Sequence, residues 1–235
     1  MKPNILLEDR DLLVCRKQPG EPVQSDKTLD YDLVNQLKNY LHEKEEHKTP
    51  YIGLVHRLDR PVGGVMVFAK TPQAAKELSR QIQEKKMEKT YLCVVQKDLS
   101  EQVGKDRIYL EDYIRKDGRS NTSIIVPKSD KAGKCAQLYY RVLEVVDGNS
   151  LVEVRLLTGR HHQIRVQMAA HVGGLVGDTK YNPLATREQG RKGVALFSNS
   201  LRFLHPRTKK IIYVTDFPEG EMWDCFTLPS KKVEE

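Results

Sequence analysis

The sequence predicts an α+β fold: one unit over residues 1–235, built on a mixed, mostly antiparallel sheet flanked by helices and loops. Three observations lead there. Short apolar or alternating runs bounded by turn residues outnumber the stretches with helical spacing. No internal repeat, low-complexity tract or long linker interrupts their order. The length suits one sizeable core, or two small lobes sharing a sheet.

The elements follow in order. Ile5–Lys17 reads as two short strands joined by an acidic turn at Glu8-Asp9-Arg10-Asp11, and Gln18-Pro19-Gly20-Glu21-Pro22 then starts a loop. From Thr28, Leu29, Leu33, Leu37, Tyr40 and Leu41 recur at helical spacing, with Thr28 and Asp30 as candidate caps; 43–48 is a charged exit. Tyr51–Val55 is a strand feeding the loop His56–Gly64, and Val65–Lys70 is an apolar strand. Gly63 and Gly64 permit either a sharp turn or a close approach of the backbone to another group. Thr71-Pro72 is a cap followed by proline at the first helical position, opening a helix through Ala74, Leu78 and Ile82 to about Glu84. Strands follow at Thr90–Val95, Ile124–Val126, Cys135–Val145, Leu151–Leu156, Leu201–Leu204 and Lys210–Val214, with a further helix from near Gly159 to Gly173-Gly174.

Composition narrows the class. A hydrophobic fraction of 39% with 30% charged residues describes a globular chain, not a disordered one. No apolar run reaches the roughly 18–20 residues a bilayer requires, so no membrane partner is expected. The N-terminus has no apolar signal region, and the cysteines at 15, 93, 135 and 225 are scattered, which reads as a reducing, cytoplasmic setting. Net charge is +7, and between Arg155 and Lys210 eleven basic residues face only Asp178 and Glu188. Such a segment is either a polyanion-binding face or a solvated basic surface.

Three clusters can carry chemistry. In His56-Arg57-Leu58-Asp59-Arg60-Pro61-Val62-Gly63-Gly64 a carboxylate stands between arginines. Adjacent guanidinium groups favour its ionised form, suited to act as nucleophile or base. The competing reading is a surface ion-pair cluster of little energetic weight. In Thr158-Gly159-Arg160-His161-His162-Gln163-Ile164-Arg165, a strand-to-helix turn offers helical amides and Arg160 to an anion, while Arg165 reaches a different target such as a carboxylate. The competing reading is an amphipathic helix with a basic face. In Lys85-Lys86-Met87-Glu88-Lys89-Thr90-Tyr91 a basic run leads to a tyrosine that either stacks on a base or fills the core. His161 and His162, adjacent on a helix, would point apart, and no His or Cys spacing fits a metal. The order His-Arg-Leu-Asp lacks the partner motifs of a kinase, and no glycine loop cradles a phosphate, so neither a metal nor a nucleotide cofactor is expected.

Together these stretches resemble the RluA family of RNA pseudouridine synthases. The residues that carry the resemblance are His56-Arg57-Leu58-Asp59, Ala69-Lys70-Thr71, Glu88-Lys89-Thr90-Tyr91-Leu92, Thr158-Gly159-Arg160-x-His162-Gln163-Ile164-Arg165 and Leu175-Val176-Gly177-Asp178-x-x-Tyr181. They keep their order from about Ile5 to about Phe217. The resemblance implies the pseudouridine synthase fold and a cofactor-free isomerase acting on a structured stem-loop of ribosomal or transfer RNA. It implies that Asp59 is catalytic, that Arg165 pairs with it, and that Tyr91 lies against the target base and can serve as general base. Arg57 is expected to reach into the RNA, with His56, Arg60, Lys89, Arg160, His162 and Gln163 as further RNA-binding residues. The chain is expected to act as a monomer without an N-terminal S4-like domain. Two departures stand out: Pro61-Val62-Gly63-Gly64 replaces a Thr-Ser-Gly-like stretch, and Gln167 stands where a histidine is frequent.

Two rival classes remain at this point. A catalytically silent RNA-binding module would explain the charge but not the Asp59 cluster. A glycoside hydrolase using Asp59 and Asp178 would want an aromatic-rich cleft, and only 7% of this chain is aromatic.

Overall fold

The computed structural model describes residues 2–25, 32–44, 50–228 and 233–234. The strands are β1 (Asn4–Glu8), β2 (Leu12–Lys17), β3 (Gly53–Leu54), β4 (Gly63–Ala69), β5 (Glu88–Val95), β6 (Ile108–Asp117), β7 (Thr122–Val126), β8 (Lys134–Val146), β9 (Asn149–Leu156), β10 (Leu196–Leu204), β11 (Ile211–Thr215) and β12 (Val233–Glu234). The helices are α1 (Leu33–Lys44), α2 (Pro72–Gln83), α3 (Gln163–His171) and α4 (Arg187–Lys192). The fold class is α+β, as expected. The strand pairs of known register are antiparallel, and a bridge between Val103 and Val142 is parallel. No helix among the described residues is long and apolar enough to cross a membrane.

Contacts divide the chain into two compact units, with the boundary inside β10 between Phe197 and Ser198. The first comprises residues 1–88, 198–217 and 230–235. Its hairpin β1–β2 turns at Asp9, whose carboxylate accepts the backbone N–H groups of Asp11 and Leu12. β2 is buried along its whole length and pairs with β4 from Leu12↔Ala69 to Lys17↔Gly64. α2 starts as predicted, with Thr71 Oγ1 accepting the N–H of Ala74 and Pro72 at the first helical position. Its Ala74 and Leu78 pack on Leu12, Val14, Val65, Val67, Leu201 and Phe203. α1 begins at Leu33, and the predicted start at Thr28–Asp30 lies outside the described residues.

The expected strand Tyr51–Val55 shrinks to Gly53–Leu54. β2 occupies one edge of β4, so the other edge is shared: β3 pairs with Ala69 and Phe68, while β10 is the neighbour of β4 and Ser198 hydroxyl donates to the carbonyl of Val65. Between them His56 Nε2 accepts the N–H of Val67 and takes the place of a strand. The glycine pair belongs to β4 and makes no turn. At Gly64 φ is +126°, and a Cβ there would lie 2.3 Å from the carbonyl oxygen of Ser198. Close approach is therefore why glycine stands there.

The second unit comprises residues 89–197 and 218–229. Its strands run in the order β5-β9-β8-β6-β7, and Val94 at the β5 edge donates to the carbonyl of Ala195 at the start of β10. α3 covers this sheet through Val166, which packs with Ile114 and Ala136. Gln167 is buried and donates to Asp112 at 2.7 Å, tying α3 to β6. The departure at position 167 thus has a structural role. β6 and α4 were not expected. α3 also starts later than predicted, because the chain from Thr158 to His162 forms a turn first.

Candidate active site

The predicted site residues fall into two sets, one in each unit. In the first unit they lie on the loop between β3 and β4, whose side chains alternate. His56, Leu58 and Val62 are buried, Arg57 and Arg60 are exposed, and Asp59 is half-buried. Apolar anchors on one side thus present Asp59 and two arginines on the other. The loop is tied from within: Val62 N–H donates to the carbonyl of Asp59 at 3.0 Å, Gly20 N–H donates to the carbonyl of Arg60 at 2.8 Å, and Arg60 Nε donates back to Gly20.

Below this loop sits a residue that the motifs do not single out. Lys17, at the end of β2, is 0% exposed, and its ammonium donates to the carbonyls of Gln18 (2.9 Å), Arg60 (3.0 Å) and Val62 (2.7 Å). Burial pulls its pKa down to about 8, opposed by the carboxylates of Glu21 and Asp59 and reinforced by Arg60. The available signal was a lysine ending the run Leu12-Leu13-Val14-Cys15-Arg16, one residue before a Pro-Gly break.

His56 was expected to meet RNA. It is buried, and its Nε2 is engaged by Val67, so its role here is to seal the strand edge and hold the loop base.

In the second unit Tyr91 is buried on β5 opposite Val154, and Lys89 is half-buried on the same strand, its pKa lowered by burial. The turn before α3 is built by Gln163. Its Oε1 accepts from Thr158 Oγ1 (2.8 Å) and the N–H of Arg160 (3.0 Å), and its Nε2 donates to the carbonyl of Gln137 (3.1 Å). Arg160 is exposed and its Nε donates to the carbonyl of Cys135. Gln163 and His162 are buried, whereas the Arg160 side chain is turned outward.

His161 and His162 do not diverge, as they would on a helix. His162 caps α3 with φ of +53°, and the two rings stack at 3.8 Å. Burial, followed by the positive charge of Arg165, His161, Lys180 and Lys116, lowers the pKa of His162 to about 3, so it is neutral at pH 7. Arg165 is 3% exposed and Asp178 0%. Arg165 donates from Nε (2.7 Å) and Nη2 (2.6 Å) to the two oxygens of that carboxylate. From the sequence, Asp178 stood in the family motif and as a second hydrolase carboxylate; its partner is Arg165, in a buried ion pair.

Among the described residues Asp9, Asp11 and His205 also lie close enough to share an ion. Their chemistry fits a hydrogen-bond network instead. His205 Nδ1 accepts the N–H groups of Arg207 and Thr208, which leaves the ring proton on Nε2, donated to Asp9 at 2.6 Å. Arg207 Nε meets Asp11 at 2.6 Å.

Residues 11–170 match the family model described as RNA pseudouridylate synthase. An uncharacterized RNA pseudouridine synthase, YlyB, of Bacillus subtilis is 33% identical over 214 residues, covering 90% of this chain and 68% of its own. Ribosomal large subunit pseudouridine synthase C of Buchnera aphidicola is 29% identical over 219 residues, covering 90% and 65%. Ribosomal large subunit pseudouridine synthase D of Xylella fastidiosa is 34% identical over 230 residues, covering 92% and 66%. The chain thus spans about two thirds of the length of these curated relatives. Among solved structures, human RNA Pseudouridylate Synthase Domain Containing 4 matches with a TM-score of 0.74 at 20% identity, covering 91% of this chain and 88% of that one; this likeness concerns the fold.

Proposed function

The chain belongs to the RluA family of RNA pseudouridine synthases, and we propose that it isomerises uridine to pseudouridine in large-subunit ribosomal RNA. The observation that carries this reading is the Asp59 loop, which lies within the matched residues and is built to hold one carboxylate among exposed arginines. The ribosomal substrate rests on the names of the C- and D-type relatives.

In the reaction the bond from C1′ of the ribose to N1 of uracil breaks, a bond from C1′ to C5 forms, the C5 proton leaves and N1 takes one up. Nothing is oxidised or reduced. Asp59 is the catalytic carboxylate, either adding to the sugar or ring or removing a ribose proton; both routes start from its ionised form. Arg165 is its counter-charge. Tyr91 lies against the uracil and serves as general base. The target base must leave its stack, and Arg57 fills the RNA beside it. Arg60, Lys89 and Arg160 bind the phosphate backbone of the stem-loop, with an affinity that falls as salt rises.

Mapping pseudouridines by carbodiimide chemistry in cells with and without the gene tests this reading. Loss of a large-subunit ribosomal site on deletion is the expected result. Loss confined to transfer RNA overturns the substrate. No loss, together with no product from the purified protein, overturns the activity.

A further inference from the structure

The segment Leu175-Val176-Gly177-Asp178-x-x-Tyr181 has no role in the chemistry above, yet it surrounds Arg165. We propose that Asp178 and Tyr181 are positioning residues that fix the plane and direction of the Arg165 guanidinium. The inference rests on the reading of Arg165 as the counter-charge of the catalytic carboxylate.

Three constraints act on that one group. Asp178 takes the Nε–Nη2 edge of the fork with both oxygens, and its Oδ1 also accepts the N–H of Lys180 at 3.1 Å. A guanidinium is planar, so a carboxylate held on one edge sets where the Nη1 side points. Asp178 is itself fixed by the turn before it: Gly177 has φ of +75°, and a Cβ there would lie 2.0 Å from the carbonyl oxygen of Gly193. The second constraint is the ring of Tyr181, whose centroid lies 5.2 Å from Arg165 Cζ. The third holds that ring. Tyr181 hydroxyl accepts the N–H of Ser123 at 2.6 Å and shares a hydrogen bond of 2.7 Å with Nδ1 of His162. Burial keeps His162 neutral beside the buried arginine.

A buried carboxylate on Arg165 has a cost for catalysis: it cancels part of the positive charge that a second carboxylate would feel. The arrangement favours orientation over field strength. That trade distinguishes a positioning residue from a structural one. Removing the charge of Asp178 should strengthen the field of Arg165 while loosening its direction.

The test uses the full chain and a large-subunit ribosomal RNA transcript labelled with [5-³H]uridine, read by tritium release. Asp178→Asn is expected to lower kcat about 30-fold with KM within about threefold. In an Arg165→Lys background, where no planar fork remains to be oriented, Asp178→Asn should cost less than about twofold. Unchanged kcat, a loss carried by KM, or the full loss persisting beside Arg165→Lys overturns the proposal. If Asp178→Asn does not melt cooperatively, Tyr181→Leu replaces it: its kcat loss should vanish beside Arg165→Lys, and persistence overturns the proposal. A wild-type chain that releases no tritium overturns instead the reading of the function on which this rests.

Discussion

Replacing Lys17 by methionine keeps most of the side chain's volume and removes its three donors, which sets two energies against each other. Holding the ammonium in its buried site depresses its pKa from 10.5 to about 8, a cost of roughly 3 kcal/mol for the protonated form. Methionine does not incur it. Against that, the carbonyls of Gln18, Arg60 and Val62 lose a donor. Arg60 keeps the N–H of Gly20 and Gln18 keeps that of Glu21, so the carbonyl of Val62 alone bears the loss, at about 1–3 kcal/mol. The balance runs from about 2 kcal/mol of gain to no change, and the melting temperature should hold or rise by a few degrees. Turnover should nevertheless fall about 100-fold, because the chain immediately after Asp59 loses its anchor. Thermal melting and tritium release measure the two effects on one preparation. A folded methionine variant with full turnover would refute the anchoring role. A loss of stability well beyond about 5 kcal/mol would show that Lys17 supports the core and not the loop. The pH dependence gives a second check. The folded pKa lies below the unfolded one, so from about pH 8 to 10.5 the unfolded chain holds more protons and the wild type gains stability relative to the variant. A neutral amine has two hydrogens for three carbonyls, so wild-type turnover should decline over the same window.

The fold yields further predictions. Gly64→Ala must open the approach of β4 to Ser198 and strain a positive φ, and should destabilise by about 3–5 kcal/mol in chemical denaturation; a loss under 1 kcal/mol would contradict the close approach. Glu8 is held at about 2 because, although burial pushes its pKa up, Lys70, Lys44 and Tyr40 outweigh that effect. Its depressed pKa means a contribution present above about pH 4.5 and lost as pH falls towards 2, so Glu8→Gln should cost about 1 kcal/mol at pH 7, discounted for its exposure, and progressively less on acidification. An equal cost at pH 7 and pH 3 would refute the ion-pair origin.

Much of this architecture was legible because burial wrote it into apolar runs. β2 and β4 are buried end to end, and the Thr71-Pro72 cap announces α2 without ambiguity. β6 was missed because Ile108–Asp117 is a half-exposed hairpin strand whose charged residues obscure the alternation. The start of α3 was placed too early because a buried Gln163 side chain, invisible to periodicity, folds back to bond Arg160 and Thr158. Asp59 and Arg165 were legible as motif residues. Their supports were not, since Lys17 and Asp178 act from 0% exposure through partners distant in sequence. Charged residues in such positions read as surface until the fold is known.

The most direct test of the central claim is the activity of Asp59→Asn, which removes the charge and keeps the shape. Tritium release from the labelled ribosomal transcript should be abolished, while affinity for the same RNA stays within about tenfold of wild type. Retained tritium release would contradict the account.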